Sequence, residues 1–489
     1  YLWVPPSIPY YELDGAFKDS WGYSKTLIFS SWKLVPRMVA SLVSYEAERL
    51  SIGNPKSVSD REKKERKYFK PYYFQKRRSP RPQFTFKVLK EEQEPQQMNN
   101  FILSYPCLFL ANLYDPAINV AEKKSVQEIK AEIKSQLMAT FNKLNLNQYV
   151  SGQGDWQKWY WLGPLLLDKA SENNNLLTEW LLKGIPSSEL SIDADNTVTD
   201  KEESNGKEKH FELAKAAFIS QSPIAAGKLG FEQLEVICEH MAELTIGSPA
   251  ICYLRSQRRY KELSNDLFDA AFNVCSAFLT MFNKPESIAI VRLHTKDGDY
   301  WERALRYMID GNMQAMLDEF VYLLINGENI QSTNELSDFI SDILSVRSSG
   351  HEIEDINELT KDPHKLTIKR RSIRSHYAVD FGTQKINTAQ GAGRQINIRQ
   401  AFNSPFRPFV LASTSIGQEG LDFHLYCKKI FHWNLPSNPI DFEQREGRIH
   451  RYQGLVIRLN MASKYNDQIS YGNTHNNIWK EIFRYAEKE

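Results

Sequence analysis

The chain has 489 residues, with 61 Lys+Arg against 60 Asp+Glu and a net charge of +1, so no global charge drives it onto nucleic acid. A hydrophobic content of 42% with 12% aromatics is ample for packed cores and is that of a soluble intracellular protein, for which the cytoplasm is the expected location. Five scattered cysteines (Cys107, Cys238, Cys252, Cys275, Cys427) with no C-x-x-C pair indicate neither a disulfide frame nor a zinc site, and the longest apolar runs fall far short of a membrane span.

Residues 25–32 (KTLIFSSW) are a short apolar run bounded by polar residues, the pattern of a buried parallel strand. Val35, Met38, Val39, Leu42 and Val43 then form one apolar stripe, which predicts a helix over 35–50. Residues 61–82 interleave lysines and arginines with Tyr68, Phe69, Tyr72, Tyr73 and Phe74. That composition suits tracking of a single nucleic-acid strand by phosphate neutralisation and base stacking, with Lys76, Arg77 and Arg78 as the contacts. It equally suits a solvated basic loop whose aromatics dock on the protein's own core.

Apolar residues recur at helical intervals over 177–183, 231–258, 267–282, 300–325 and 336–346. Residues 51–371 therefore read as a mostly helical insertion. Within it, residues 187–210 are polar, acidic and nearly free of large apolar side chains, and are expected to form a mobile loop. After the insertion, 376–382 (HYAVDFG) reads as a strand, 394–403 as a helix and 409–412 as a strand. Strand, helix, strand, helix, strand implies a parallel sheet flanked by helices. The fold class is α/β, with 1–50 and 372–489 as two parts of one sheet domain split by 51–371.

Two blocks near the carboxyl end carry the chemistry. A strand-like run ending in Thr414 leads into Gly417, Gln418, Glu419, Gly420, Leu421 and Asp422. Some twenty residues on, Gln444, Gly447, Arg448 and Arg451 fit Q-x-x-G-R-x-x-R without a gap. Arg448 and Arg451 are three apart, so on a helical turn both guanidiniums leave one face. Two permanently charged forks suit a polyphosphate, and Gly447 permits close approach of another backbone or a ligand. The alternatives are salt bridges to Glu443 and Glu446 for the arginines, a helix N-cap for Asp422 and an unpartnered strand residue for Thr414.

These blocks, in this order and at this separation, resemble the last two motifs of superfamily 2 helicases and translocases. The Swi/Snf-type DNA-dependent ATPases are the nearest flavour, given Leu435, Pro436, Asn438 and Pro439 in the LPxNP position and Glu419 where many RNA helicases carry arginine. The resemblance implies a RecA-like helicase C-terminal domain, with the strand at 25–32 as its first. It also implies Arg448 and Arg451 as catalytic arginine fingers, and Gly420, Asp422, Gln444 and Gly447 as nucleotide contacts with Asp422 on the ribose. Ser30 and Thr414 would touch DNA backbone phosphates.

Such motors hold ATP between two RecA-like domains, the first supplying a G-x-x-x-x-G-K-[ST] loop and an Asp-Glu pair for Mg²⁺. Gly206-Lys207 and Gly227-Lys228 are the only Gly-Lys pairs and lack that context, and Asp318-Glu319 lies in an amphipathic-helix pattern. The chain is accordingly expected to be the C-terminal half of a motor, unable to hydrolyse ATP alone, with Mg²⁺ held by the missing N-terminal domain. Its expected partners are that RecA-like domain, the DNA backbone and other proteins bound through the insertion, with no membrane and no metal site of its own. An RNA-dependent motor half and a non-catalytic scaffold that keeps the motor fold are the alternatives.

Overall fold

A computed structural model describes residues 1–52, 82–88, 95–171, 175–185, 198–261, 264–295, 297–328, 330–345, 349–354, 370–381, 389–414, 421–466 and 477–488. Among them, strands β1 (Lys25–Phe29), β4 (Ala378–Phe381), β5 (Val410–Ser413) and β6 (Cys427–His432) form a parallel sheet in the order β4-β5-β1-β6. Thr26 lies opposite Val410 in this register, and Ala378 opposite Val410 on the other side. The sheet therefore draws one strand from before the insertion and three from after it. Each of the three expected strands is present; β6 was not foreseen. Its alternating exposure marks an edge strand and gives it no continuous apolar run.

Helix α1 (Leu34–Ile52) covers one face of the sheet through Val35 and Val39, which pack on Ala412. Its Ser44 hydroxyl binds the Ala378 amide at 3.1 Å. The opposite face carries Leu27, Phe29, Leu411, Val379 and Phe381 under the Ala389–Phe402 helix, Phe423 and Ile449. Helices on both faces of a parallel sheet are what buried strands require, because neither face can be left to water.

Between the two halves of the sheet lies a body rich in helices. Two long helices expected there are broken. Residues 231–258 form Phe231–Gly247 and Pro249–Arg258, because Pro249 lacks the amide that would continue the ladder. Residues 300–325 split into Tyr300–Asp310 and Met313–Gly327, where Asn312 takes a left-handed conformation (φ 50°). The second part of the expected loop at 187–210 is helical instead, within Val198–Ile219. Its first part lies outside the described residues, as does nearly all of the basic aromatic segment, including Lys76, Arg77 and Arg78. An antiparallel pair, β2 (Ser349–Glu354) and β3 (Arg370–Ser375), lies at the end of a stretch expected to be helical, with β3 against α1; its polar sequence gave no strand signal.

Leu2, Trp3 and Phe17, assigned from sequence to the sheet domain, belong to the core of the body, where Trp3 Nε1 donates to Gly311 O at 3.0 Å. The helix Ile478–Ala486 also packs there, through Ile478, Trp479 and Phe483.

The body meets the sheet at one end. Tyr23, Tyr377, Phe409 and Tyr426 each lie one or two residues before a strand of the parallel sheet, and all four pack into the body's core. Arg407 donates to Glu286 at 2.8 Å in the same region, with His376 at 3.5 Å from that carboxylate. Lys25 is fully buried there and donates to the carbonyls of Ala401 (2.9 Å) and Phe406. Burial pushes its amine well below the usual lysine range. The amino ends of the strands are thus capped by the body, and the carboxyl ends are left clear of that core.

Candidate functional site

The carboxyl ends of β1 and β6 are tied by a reciprocal pair. Ser31 N donates to Asn434 Oδ1 at 2.8 Å, and Asn434 Nδ2 donates to Ser31 Oγ at 2.7 Å. Trp433 N donates to Phe29 O at 2.9 Å beside it. On either side of this clasp two indoles stand in solvent, Trp32 at 64% and Trp433 at 49% exposure, with Leu435 and Ile440 also exposed. Adjacent exposed apolar side chains of this size mark a contact surface. In the sequence, Leu435, Pro436, Asn438 and Pro439 served as a mark of the family resemblance, and the exposed surface around them was not foreseen.

Ser30 and Thr414, the expected phosphate contacts, lie beneath this rim. Their exposures are 1% and 4%, and Ser30 Oγ accepts the Trp32 amide at 3.1 Å. In this arrangement Ser30 shapes the turn, while exposed Ser31 and Lys33 reach the surface.

From the rim the chain enters the helix Pro439–Glu446. Asn438 caps it, its Oδ1 accepting Ile440 N at 3.0 Å, and Pro439 at the first position has no amide to leave unsatisfied. Gln444 is exposed on this helix. Arg445, passed over in the sequence, is the arginine the fold consumes. It is buried, donates to Asn434 O at 3.2 Å and lies 5.4 Å over the Phe29 ring. Burial lowers its pKa.

The helix stops at Glu446, so Arg448 and Arg451 do not share a helical face as expected. They occupy the turn that follows. The Phe423 amide takes the Arg448 carbonyl at 3.0 Å, and Ile449 is pulled into the sheet's core between them. Gly447 has no foreign backbone close by among the described residues; an added Cβ would meet only its own helix, at 3.3 Å from Glu443 O.

The two arginines differ in state. Arg448 Nε is buried with no hydrogen-bond partner among the described residues, an orphan donor of the kind native structures rarely leave unused. Arg451 is half exposed and its Nε lies 3.2 Å from Asp422 Oδ1. Neither arginine makes the salt bridge to Glu443 or Glu446 that sequence alone allowed, among the described residues. No helix begins at Asp422, so it is not an N-cap; its carbonyl accepts Asn403 Nδ2 at 2.8 Å. Arg451 borders a cavity of about 310 Å³ shared with His450, Tyr452 and Ile457. Gly420 lies outside the described residues. The structure thus brings Asp422 and Arg451 together, ties Arg448 to the Asp422 segment through the Phe423 amide, and holds Ser30 and Thr414 at the strand ends.

Arg448, with an unpartnered Nε, and Arg451, only loosely paired, are each permanently charged donors of the kind that bind the oxygens of an anion. Among the described residues no group of three His, Cys, Asp or Glu could hold a metal ion, and no single helix is long and apolar enough to cross a membrane. All five cysteines are free and buried.

Residues 357–453 match the family model of the helicase conserved C-terminal domain. That segment contains β4, β5, β6 and the arginine turn, while β1 reaches the middle of the same sheet from outside it. The match and the parallel sheet flanked by helices together support a RecA-like α/β helicase C-terminal domain. No curated protein and no solved structure matches the chain.

Proposed function

We propose that the sheet lobe is the second motor domain of an ATP-dependent, Swi/Snf-like DNA helicase or translocase. In this reading Arg448 and Arg451 are fingers that reach the phosphates of a nucleotide held by another RecA-like lobe. The observation that carries it is a buried Arg448 Nε without a partner among the described residues, three positions before the half-exposed Arg451, within the segment that matches the helicase family. An arginine satisfied at rest would have little to gain from a phosphate.

Asp422 is the ribose contact in this scheme, and Gln444 and Gly447 lie beside the nucleotide. Bound ATP with Mg²⁺ supplies the scissile phosphoanhydride, the metal being held by the other lobe. The chain's own residues neutralise the charge that develops on the transferred phosphoryl group. The exposed rim at Trp32, Trp433, Leu435 and Ile440 faces away from the body, at the strand ends where ligands of open α/β sheets gather. DNA runs along that rim, its phosphates meeting the turn after β1 through exposed Ser31 and Lys33, while Ser30 and Thr414 lie beneath and shape the strand ends. Contacts of this kind carry little base specificity. The helical body offers surface for other proteins.

The test is ATP turnover, with and without DNA, by this chain assembled with a lobe bearing a phosphate loop. Turnover stimulated by DNA and lowered roughly 10³–10⁵-fold by Arg451→Ala is the expected result. Normal turnover by that variant would take Arg451 out of the reaction. Stimulation by RNA in place of DNA would reassign the track.

A further inference from the structure

The Asp318-Glu319 pair, which resembles an acidic box in composition alone, is buried in the Met313–Gly327 helix of the body. Glu319 Oε1 accepts Arg458 Nε at 2.9 Å, and its carboxylate also takes Ser7 N (2.6 Å) and Ser7 Oγ (2.9 Å). Arg458, wholly buried in the helix Leu455–Tyr465, directs its other nitrogens at two backbone carbonyls: Nη1 at Gln453 O (2.5 Å) and Nη2 at Leu425 O (2.6 Å). Its guanidinium lies 5.2 Å over the Tyr426 ring.

Those two carbonyls are not arbitrary. Gln453 has φ 59°, the left-handed residue that closes the Arg451–Gly454 turn, where Gly454 N donates to Arg451 O at 2.9 Å. Leu425 belongs to the segment that carries Asp422, and its neighbour His424 accepts Leu455 N at 3.0 Å. One planar fork therefore joins the turn bearing Arg451, the segment bearing Asp422 and a carboxylate of the body. A buried ion pair adds little cohesion over a well-packed apolar contact. What a guanidinium adds is direction, with donors at fixed angles to several acceptors.

We propose that Arg458 is a positioning residue for Arg451. Held by Glu319, it sets the Arg451–Gly454 turn against the helical body, so that the docking of the body determines where the finger reaches. This rests on the reading of Arg451 given above, and its test separates the two.

In the chain by itself, Arg458→Lys keeps the charge but loses the fork, and Glu319→Gln keeps the shape but loses the charge. Both variants are expected to speed amide exchange at Gly454 and Leu455 at least tenfold while the amides of β1 keep their rates. Unchanged exchange at the turn overturns the proposal, and so does equal acceleration in β1, which would make the pair general cement. In the assembled motor, each variant should lower kcat for ATP about tenfold with KM kept, and should add nothing to the loss caused by Arg451→Ala. Losses that multiply with Arg451→Ala would overturn the positioning role. Should Arg451→Ala itself leave turnover normal, the finger assignment fails, and the exchange experiment still decides whether Arg458 and Glu319 hold the turn.

Discussion

Arg451 and Asp422, the finger and the ribose contact of the proposed mechanism, are partners at rest. Arg451 Nε lies 3.2 Å from Asp422 Oδ1, with the two side chains 50% and 40% exposed. An ion pair this open to water holds its members by less than about 1 kcal/mol. An arriving nucleotide can therefore separate them, giving the carboxylate a hydroxyl and the guanidinium a phosphate. Arg451→Ala should accordingly shift the urea midpoint very little while removing turnover in the assembled motor. A large loss of stability in that variant would show that Arg451 is structural.

Arg445 should behave in the opposite way. It is buried, bonded to Asn434 O and stacked over Phe29, so Arg445→Ala removes a charged hydrogen bond and leaves a void beneath the rim. A stability loss of about 2–4 kcal/mol is expected from those two terms. Chemical denaturation at unchanged m-value measures it; a loss near zero would mean that the rim is held by other contacts.

Leu27 lies fully buried in the middle of the central strand. Leu27→Ala should cost roughly 2–5 kcal/mol, the range for a leucine whose cavity cannot collapse. The loss should speed amide exchange in β5 and β6 together, since both pair with β1. Acceleration confined to one of them would show that the strands do not open as a unit.

At the other end of the sheet, Arg407 binds Glu286 across the contact with the body. Burial alone would raise the Glu286 pKa, but Arg407 and then His376 outweigh it and hold the carboxyl below its ordinary range. Arg407→Ala strands that charge and should destabilise by about 3–5 kcal/mol. The double variant Arg407→Met with Glu286→Leu should recover most of the loss, and failure to recover would mean that the pair does more than neutralise itself.

Asp168 gives a pH signature. Its Oδ1 accepts Phe109 N at 2.7 Å, and burial raises its pKa from 3.8 to about 6. The native state then binds more protons than the unfolded state between those values. Stability falls as pH rises through the window, by at most about 3 kcal/mol, and its contribution is level above it. Asp168→Asn removes this slope, so the stability of the variant relative to the parent should climb from about pH 4 to pH 6 and then stay flat. A difference independent of pH would show a carboxyl that ionises normally in the fold.

The amino-acid sequence by itself settled the local patterns. The runs at β1, β4 and β5 are largely apolar because both sheet faces are covered. The glutamine–arginine block was legible because its spacing is local. What the sequence could not settle were the relations between distant segments. It gave Arg445 no role, since the burial that the rim imposes on it is set by Phe29 and Asn434 from elsewhere in the chain. Nor could it show that residues 2–17 and the last helix belong to the body, or that Glu319 meets Arg458 across 139 positions. Propensity and periodicity act over a few neighbouring residues; which side chains lose water, and against which partners, is fixed only when the whole chain packs.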